Sequence, residues 1–235
     1  MSSLRATLVH DVRMQSRAKL YTIGVSMAVA MGLLARFLVD LDSAGRVLVA
    51  FYLLGLGGTT YMFVGALVLL EKSEGTLQAL RVTPLTSRRY LASKTLTLTT
   101  FAVIESAIVY VIAFLDVPGN PAVLLVGVAA MGVTYTLIGL AHVAPHDAVT
   151  TFLVPGTFLI VGTLQLPVFY LLDVGPALLW YLIPSQGSLL IMLGAFEPLE
   201  AWQWVYAVTM TGGTIVAAGF WARRSFRRFI RLQEG

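Results

Sequence analysis

Cysteine is absent from this chain of 235 residues. Its absence excludes disulfides, thiol nucleophiles and thiolate-held metals. Charge is scarce too: Asp, Glu, Lys and Arg make up 12% of the residues, half of the ~25% usual in soluble domains. No GxxxxGK[ST] stretch is present, so nothing in the chain cradles nucleotide phosphates. There is no HExxH and no GxSxG, which removes the common zinc-protease and serine-hydrolase patterns. His142 and His146 stand four apart beside Asp147, but Pro145 breaks the helix that would align them. A zinc site there would also need a third ligand and a fixed backbone. The chain therefore reads as having no catalytic residue and no metal.

What is abundant is apolar sequence, 57% of the residues, with mean hydropathy +0.83. It comes as long runs rather than as stripes, each long enough for a helix to cross a hydrocarbon core of about 30 Å. Barrel strands would alternate over about ten residues instead. The predicted fold is an all-α membrane protein, one domain over 1–235, with six spans near 20–39, 47–70, 95–115, 121–141, 149–172 and 202–221. The first run continues well past Ala28-Val29-Ala30, so it reads as a retained span and not as a cleaved signal. The segment before it predicts an amphipathic interfacial helix, with Leu4, Leu8 and Val12 on one face and His10, Arg13 and Arg17 roughly opposite. Asp11 and Gln15 intrude on the apolar side. Between the last two spans, the stretch 176–196 holds two short apolar pieces broken by Pro184-Ser185-Gln186-Gly187. Neither piece is long enough to span, which predicts a re-entrant helical hairpin.

The net charge of +4 is a topology signal before it is anything else. Fourteen of the sixteen Lys and Arg fall before the first span, between the second and third, or after the last. The exceptions are Arg36 and Arg46. The positive-inside rule then places both termini and the 71–94 loop in the cytoplasm. Anionic lipid headgroups are a secondary partner for these cations. Nucleic acid is not implied.

That loop holds the one long charged stretch inside the protein, EKSEGTLQALRVTP at 71–84. Glu71, Lys72 and Glu74 open it, and Leu77, Leu80 and Val82 follow at near-helical spacing. Thr83-Pro84 closes it, because the residue before proline is pushed out of the α region. The pattern predicts a short docking helix over 71–83 with acids in its first turn, where the helix dipole favours them. Gly75 would cost such a helix about 1 kcal/mol relative to Ala, which calls for a packing reason. The competing reading is a solvated linker. Within the spans, Glu105 is the only acid at mid-depth. Such a group is expensive in a bilayer and is by default a functional candidate. The bland alternative is a neutral carboxyl hydrogen-bonded to a Thr or Tyr of a neighbouring helix. Tyr61, Tyr135 and Gln165 are its candidate polar partners or cavity residues, with helix packing the simpler role for each.

With these spans in place, EKSEGTLQALRVTPL (71–85) resembles the loop between the second and third spans of ABC-2 type transporter permeases. The likeness extends to the N-terminal helix, the six spans and the re-entrant segment. The chain's size and its WYLIPSQG stretch (180–187) are similar to actinobacterial drug-export permeases of the fluoroquinolone exporter type. The resemblance implies a permease in the bacterial plasma membrane, working as two copies or with a homologue. It implies an ABC ATPase partner, also in two copies, that holds ATP and magnesium; no cofactor is implied on this chain. It makes 71–83 the coupling helix, carried by Glu71, Lys72, Glu74, Gly75, Thr76, Leu77, Leu80 and Arg81 and closed by Pro84. It assigns the second and fifth spans to the substrate path and the 176–196 hairpin, with Trp180, Pro184 and Gln186, to an outer gate. In the family a basic residue often sits in the second cytoplasmic loop, where this chain has only the histidines of 142–148. The expected function is ATP-driven export of a hydrophobic or amphipathic substrate. The alternative is an ion- or proton-coupled carrier or channel that uses Glu105.

Overall fold

The computed structural model describes residues 2–38, 44–79, 86–113, 115–116 and 119–230. Among these residues every regular element is a helix. In chain order they are α1 (Ser2–Arg17), α2 (Leu20–Leu38), α3 (Ala44–Ser73), α4 (Thr76–Ala79), α5 (Ser87–Ala113), α6 (Pro121–Val143), α7 (Val149–Leu171), α8 (Ala177–Trp180), α9 (Gln186–Leu193) and α10 (Ala201–Phe229). Six of them, α2, α3, α5, α6, α7 and α10, are long and apolar enough to cross a membrane. This is the six-span, all-α membrane fold expected from the apolar runs.

The centre of the bundle is α6, which packs against α3, α5, α9 and α10. Asn120 caps its start, accepting from the backbone N–H groups of Ala122 and Val123, and Pro121 occupies the first turn where no donor is needed. In lipid, apolar surface alone does not drive helices together, so close backbone approach matters. A Cβ on Gly187 would lie 2.9 Å from the Ala207 carbonyl oxygen, so glycine lets α9 and α10 touch backbone to backbone. All eight residues of α9 are buried. The large apolar side chains left outside, among them Phe37, Phe158, Val216 and Phe220, face where lipid would be.

Three boundaries differ from the sequence reading. The α5 helix begins at Ser87, not near 95, so Lys94 is a helical residue inside the bundle and not a loop cation. The last helix runs to Phe229, which puts Arg223, Arg224, Arg227 and Arg228 on its final turns instead of on a tail. The single docking helix over 71–83 is not what forms. Helix α3 continues through Glu71 and Lys72 to Ser73, and Gly75 at φ +71° ends it. Only glycine adopts that left-handed conformation cheaply, which is its usual role just past a helix C-terminus. One further turn, α4, follows before residues 80–85, which lie outside the described residues.

Two spans carry a stretch of π-helix, Tyr52–Gly57 in α3 and Ile160–Leu164 in α7. Such wide turns are rare, and they recur at functional positions. The re-entrant hairpin is built from α8 and α9, joined by turns at 181–185.

Candidate functional site: the charged end and the mid-bundle break

At one end of the bundle three ionic groups are buried together. The Lys94 Nζ lies 2.8 Å from Asp11 Oδ1 of α1 and 2.5 Å from Glu71 Oε1 of α3. None of the three is more than 2% exposed. Tyr90 donates its hydroxyl to the other Glu71 oxygen, and Ser93 donates to Asp11. One cation thus faces two carboxylates, and hydroxyl donors take up the rest of the negative charge. Next to it, Gln15 Nε2 donates to Thr97 Oγ1 at 2.8 Å, and Gln15 Oε1 accepts from the Tyr21 hydroxyl at 2.5 Å. The N-terminal helix is therefore held by its polar residues. Asp11 and Gln15, which spoil its apolar face in sequence, are the side chains that dock it, while Val9 and Val12 are exposed.

Glu71 accordingly points inward. Its charge sits at the C-terminal end of α3, where the helix dipole disfavours an anion, and Lys94 offsets that cost. The neighbouring cation points elsewhere. Lys72 Nζ donates to the carbonyl oxygens of Ala144 at 2.7 Å and His146 at 2.5 Å, and lies 3.2 Å from Asp147 Oδ1. It ties the end of the second span to the loop between the fourth and fifth. Burial, and then the Lys72 charge, holds the His146 imidazole below its ordinary range. Of the remaining residues of this stretch, Glu74 is exposed, Gly75 and Thr76 are half-buried, and Leu77 is buried in its own chain. Leu80, Arg81 and Pro84 lie outside the described residues.

Deeper in the bundle, Gln165 Nε2 donates to the Leu54 carbonyl oxygen at 2.8 Å. This joins the residue after the α7 π segment to the π segment of α3. Tyr135 of α6 and Ser185 of the hairpin both donate to the Leu164 carbonyl, at 3.0 and 2.5 Å. Gln165 and Tyr135 thus meet around one break in α7, and Ser185 was not among the candidates. Tyr61 lies apart from them, fully buried, with its hydroxyl 2.5 Å from His142 Nδ1 and its ring stacked on Phe152. Glu105 is elsewhere again, buried under α2. Its Oε1 occupies the space a Cβ on Gly24 would fill. Among the described residues it has no hydrogen bond or ion pair, so the expected Thr or Tyr partner is not found.

At the opposite end Arg46 joins three segments, 2.7 Å from Glu197 Oε1 and 2.9 Å from Asp173 Oδ2. Trp180 folds back on the hairpin and donates to the Val174 carbonyl at 3.0 Å. Pro184 is half-buried at the hairpin turn. Gln186 is fully buried at the start of α9, and neither of its amide atoms has a partner among the described residues. Tyr181 meets Tyr170 and Tyr206 edge to face and Trp202 at a tilt beside them.

Comparison with known proteins gives a consistent result. The model of the fluoroquinolones export permease protein family matches residues 2–234. Fluoroquinolones export permease proteins of two Mycobacterium tuberculosis strains, CDC 1551 / Oshkosh and ATCC 25618 / H37Rv, are each 31% identical over 183 residues, 74% of this chain and 74% of theirs.

Proposed function

The chain belongs to the fluoroquinolones export permease protein family, and from that premise we propose that it is the membrane subunit of an ATP-driven ABC exporter. It is a multi-pass membrane protein, set in a bacterial plasma membrane with both termini and the Glu71 end in the cytoplasm. It pairs with an identical or homologous permease, and two ATPase subunits bind ATP and magnesium and supply the energy. The cargo is a hydrophobic or amphipathic drug or lipid, and fluoroquinolones, named for its relatives, are the first to try. One observation carries the coupling part of this reading. The end of α3 is clamped on both sides, by Glu71 to α5 and, through Lys94, to α1, and by Lys72 to the 144–147 loop, while Glu74 is left exposed just beyond. A push on that exposed turn would reach four segments at once.

The test is to purify the chain alone and with an ATPase encoded beside it. The permease alone should turn over no ATP, and the pair should hydrolyse ATP faster when cargo is added. Robust hydrolysis by the permease alone would sink the subunit reading.

Glu105 supports a second reading, an ion- or proton-coupled carrier, because it is buried without a partner among the described residues. Glu105→Gln separates the two. Export within a few-fold of the parent fits the ATP-driven reading, whereas complete loss with normal assembly favours ion coupling.

A further inference from the structure

We propose that the chain holds one anionic phospholipid at its basic end, with the phosphate on Arg88 and Arg223 and an acyl chain in the groove between α5, α6 and α10. The proposal does not depend on what drives transport.

A basin of about 500 Å³ is lined by Thr86, Ser87, Arg88, Arg89, Arg223 and Arg227, with no acidic side chain among them. A groove of about 750 Å³ shares Arg88 and Arg223 with the basin and continues past Leu96, Leu137, Val216, Gly219 and Phe220. Cationic basin and apolar groove are therefore one continuous surface. Arg88, Arg223 and Arg227 are exposed and form no ion pair among the described residues. The start of α5 adds the partial positive charge of a helix N-terminus.

The helical register aligns the two halves of the site. On α5, Arg88, Ala92, Thr95 and Thr99 lie on one face at spacings of four, three and four. On α10, Val216, Phe220, Arg223 and Arg227 do the same. Each stripe starts with arginine at the bundle's end; going inward, the α10 stripe becomes apolar in Phe220 and Val216, and the α5 stripe continues in Ala92, Thr95 and Thr99. Thr95 and Thr99 line the groove, and their hydroxyl oxygens are buried without a partner among the described residues.

Depth agrees with this assignment. The 29 residues of α10 measure about 43 Å at 1.5 Å per residue, against a hydrocarbon core of about 30 Å. The surplus puts its last turns, with Arg223 and Arg227, among the headgroups. A zwitterionic lipid would bring its own cation into a basin that has no acid among its described lining residues, which favours a net anionic headgroup.

The test uses the purified full chain in nanodiscs of phosphatidylcholine with a minor fraction of phosphatidylglycerol, with retained lipid counted by native mass spectrometry. The parent should retain phosphatidylglycerol over phosphatidylcholine. The double variant Arg88→Gln/Arg223→Gln should lose about tenfold or more of that preference, while Arg224→Gln, on a neighbouring face, should keep it. Gly219→Leu should lower retention with the arginines intact. A Cβ there meets nothing closer than Leu137 Cδ1 at 3.9 Å, so a side chain can start from this position into the groove. Equal retention by the double variant and Arg224→Gln would overturn the headgroup site. Full displacement of the lipid by inorganic phosphate, or unchanged retention in Gly219→Leu, would overturn the acyl groove. Crosslinking of Gly219→Cys to itself in a second copy would put a protomer there instead and end the proposal.

Discussion

Gln165 in the fifth span and Leu54 in the second are joined by a hydrogen bond of 2.8 Å from side-chain amide to main-chain carbonyl. Both residues belong to or adjoin a π-helical stretch. A π turn leaves carbonyls poorly placed, and polar side chains nearby take them up. Thr60 does this for Leu56 at 2.6 Å, and Tyr135 and Ser185 do it for Leu164. Two spans that would otherwise slide as plain helices are thereby pinned where each is widest.

Gln165→Leu should uncouple them. The chain should still insert, since an interhelical hydrogen bond within a membrane averages only about 0.6 kcal/mol. Thermal unfolding in detergent should shift by a degree or two, while export falls several-fold. A variant with normal export would reduce Gln165 to packing.

The Lys94 cluster should behave in the opposite way, with a large effect on stability. Lys94→Met leaves Asp11 and Glu71 buried without their cation. Breaking a buried pair from one side costs roughly 3–5 kcal/mol, so unfolding temperature and yield should drop sharply. Adding Glu71→Gln to Lys94→Met removes one stranded charge and should recover part of the loss. If the double variant is no more stable than the single, the three groups do not act as one cluster.

The six spans were legible because hydropathy is a local property and each apolar run announces itself. The charged cluster was not, because its members come from far apart in the chain: Lys94 is 83 residues from Asp11 and 23 from Glu71. Read alone, Lys94 looks like the last cation before an apolar run. Its helix starts earlier, at Ser87, and the two carboxylates partner its charge inside the bundle. One clue was present. Asp11 and Gln15 break an otherwise amphipathic face, and polar residues on a face that packs against a helix need partners. The π segments gave a weaker hint through Gly55, Gly57 and Gly58, which spacing alone assigns to close packing. The true bounds of the 71–83 stretch turned on the positive φ of Gly75, which a helical pattern in Leu77 and Leu80 conceals.

The clasp made by Lys72 should depend on pH. The His146 imidazole titrates below its ordinary value because burial and the Lys72 charge disfavour its cation. A depressed histidine pKa means the folded loop binds the proton less readily than the open one. The contribution to stability is therefore present at neutral pH and is lost as the pH falls through the depressed value. Hydrogen exchange over 144–148 should be slow at pH 7.5 and faster near pH 5 after correction for intrinsic rates. Lys72→Met should raise it at both pH values by roughly tenfold or more, as expected on losing hydrogen bonds to a charged donor. Exchange that ignores both changes would mean the loop is held by something else.

Topology is testable on this chain without prior engineering, because it has no cysteine. A cysteine at Ser87, which lines the basic basin, should react with impermeant maleimide only after the membrane is opened. The same should hold near either terminus. Labelling of Ser87→Cys on intact cells would invert the orientation and take the coupling reading with it.

The coupling stretch needs variants chosen with the structure in view. Glu71 and Leu77 are buried within the chain. Glu71→Lys would set a second cation against Lys94, and its failure would report folding, not docking. Glu74 is exposed one residue past the end of α3, and Leu80 follows the single turn of α4. Glu74 is a position at which a partner can be lost while the bundle stays intact, and Leu80, the apolar candidate of the stretch, lies outside the described residues. Burying a leucine fully is worth about 1.5–3 kcal/mol, so Leu80→Asp should weaken ATPase docking by about tenfold or more. Glu74→Lys reverses an exposed charge and should have a smaller, salt-dependent effect. Membrane yield and thermal unfolding should match the parent in both. The measurement is ATPase recovered with the tagged permease at low and high salt, beside the parent and Arg224→Gln. If Leu80→Asp retains the ATPase as well as the parent does, residues 74–80 are a linker, and the clamped end of α3 passes no force.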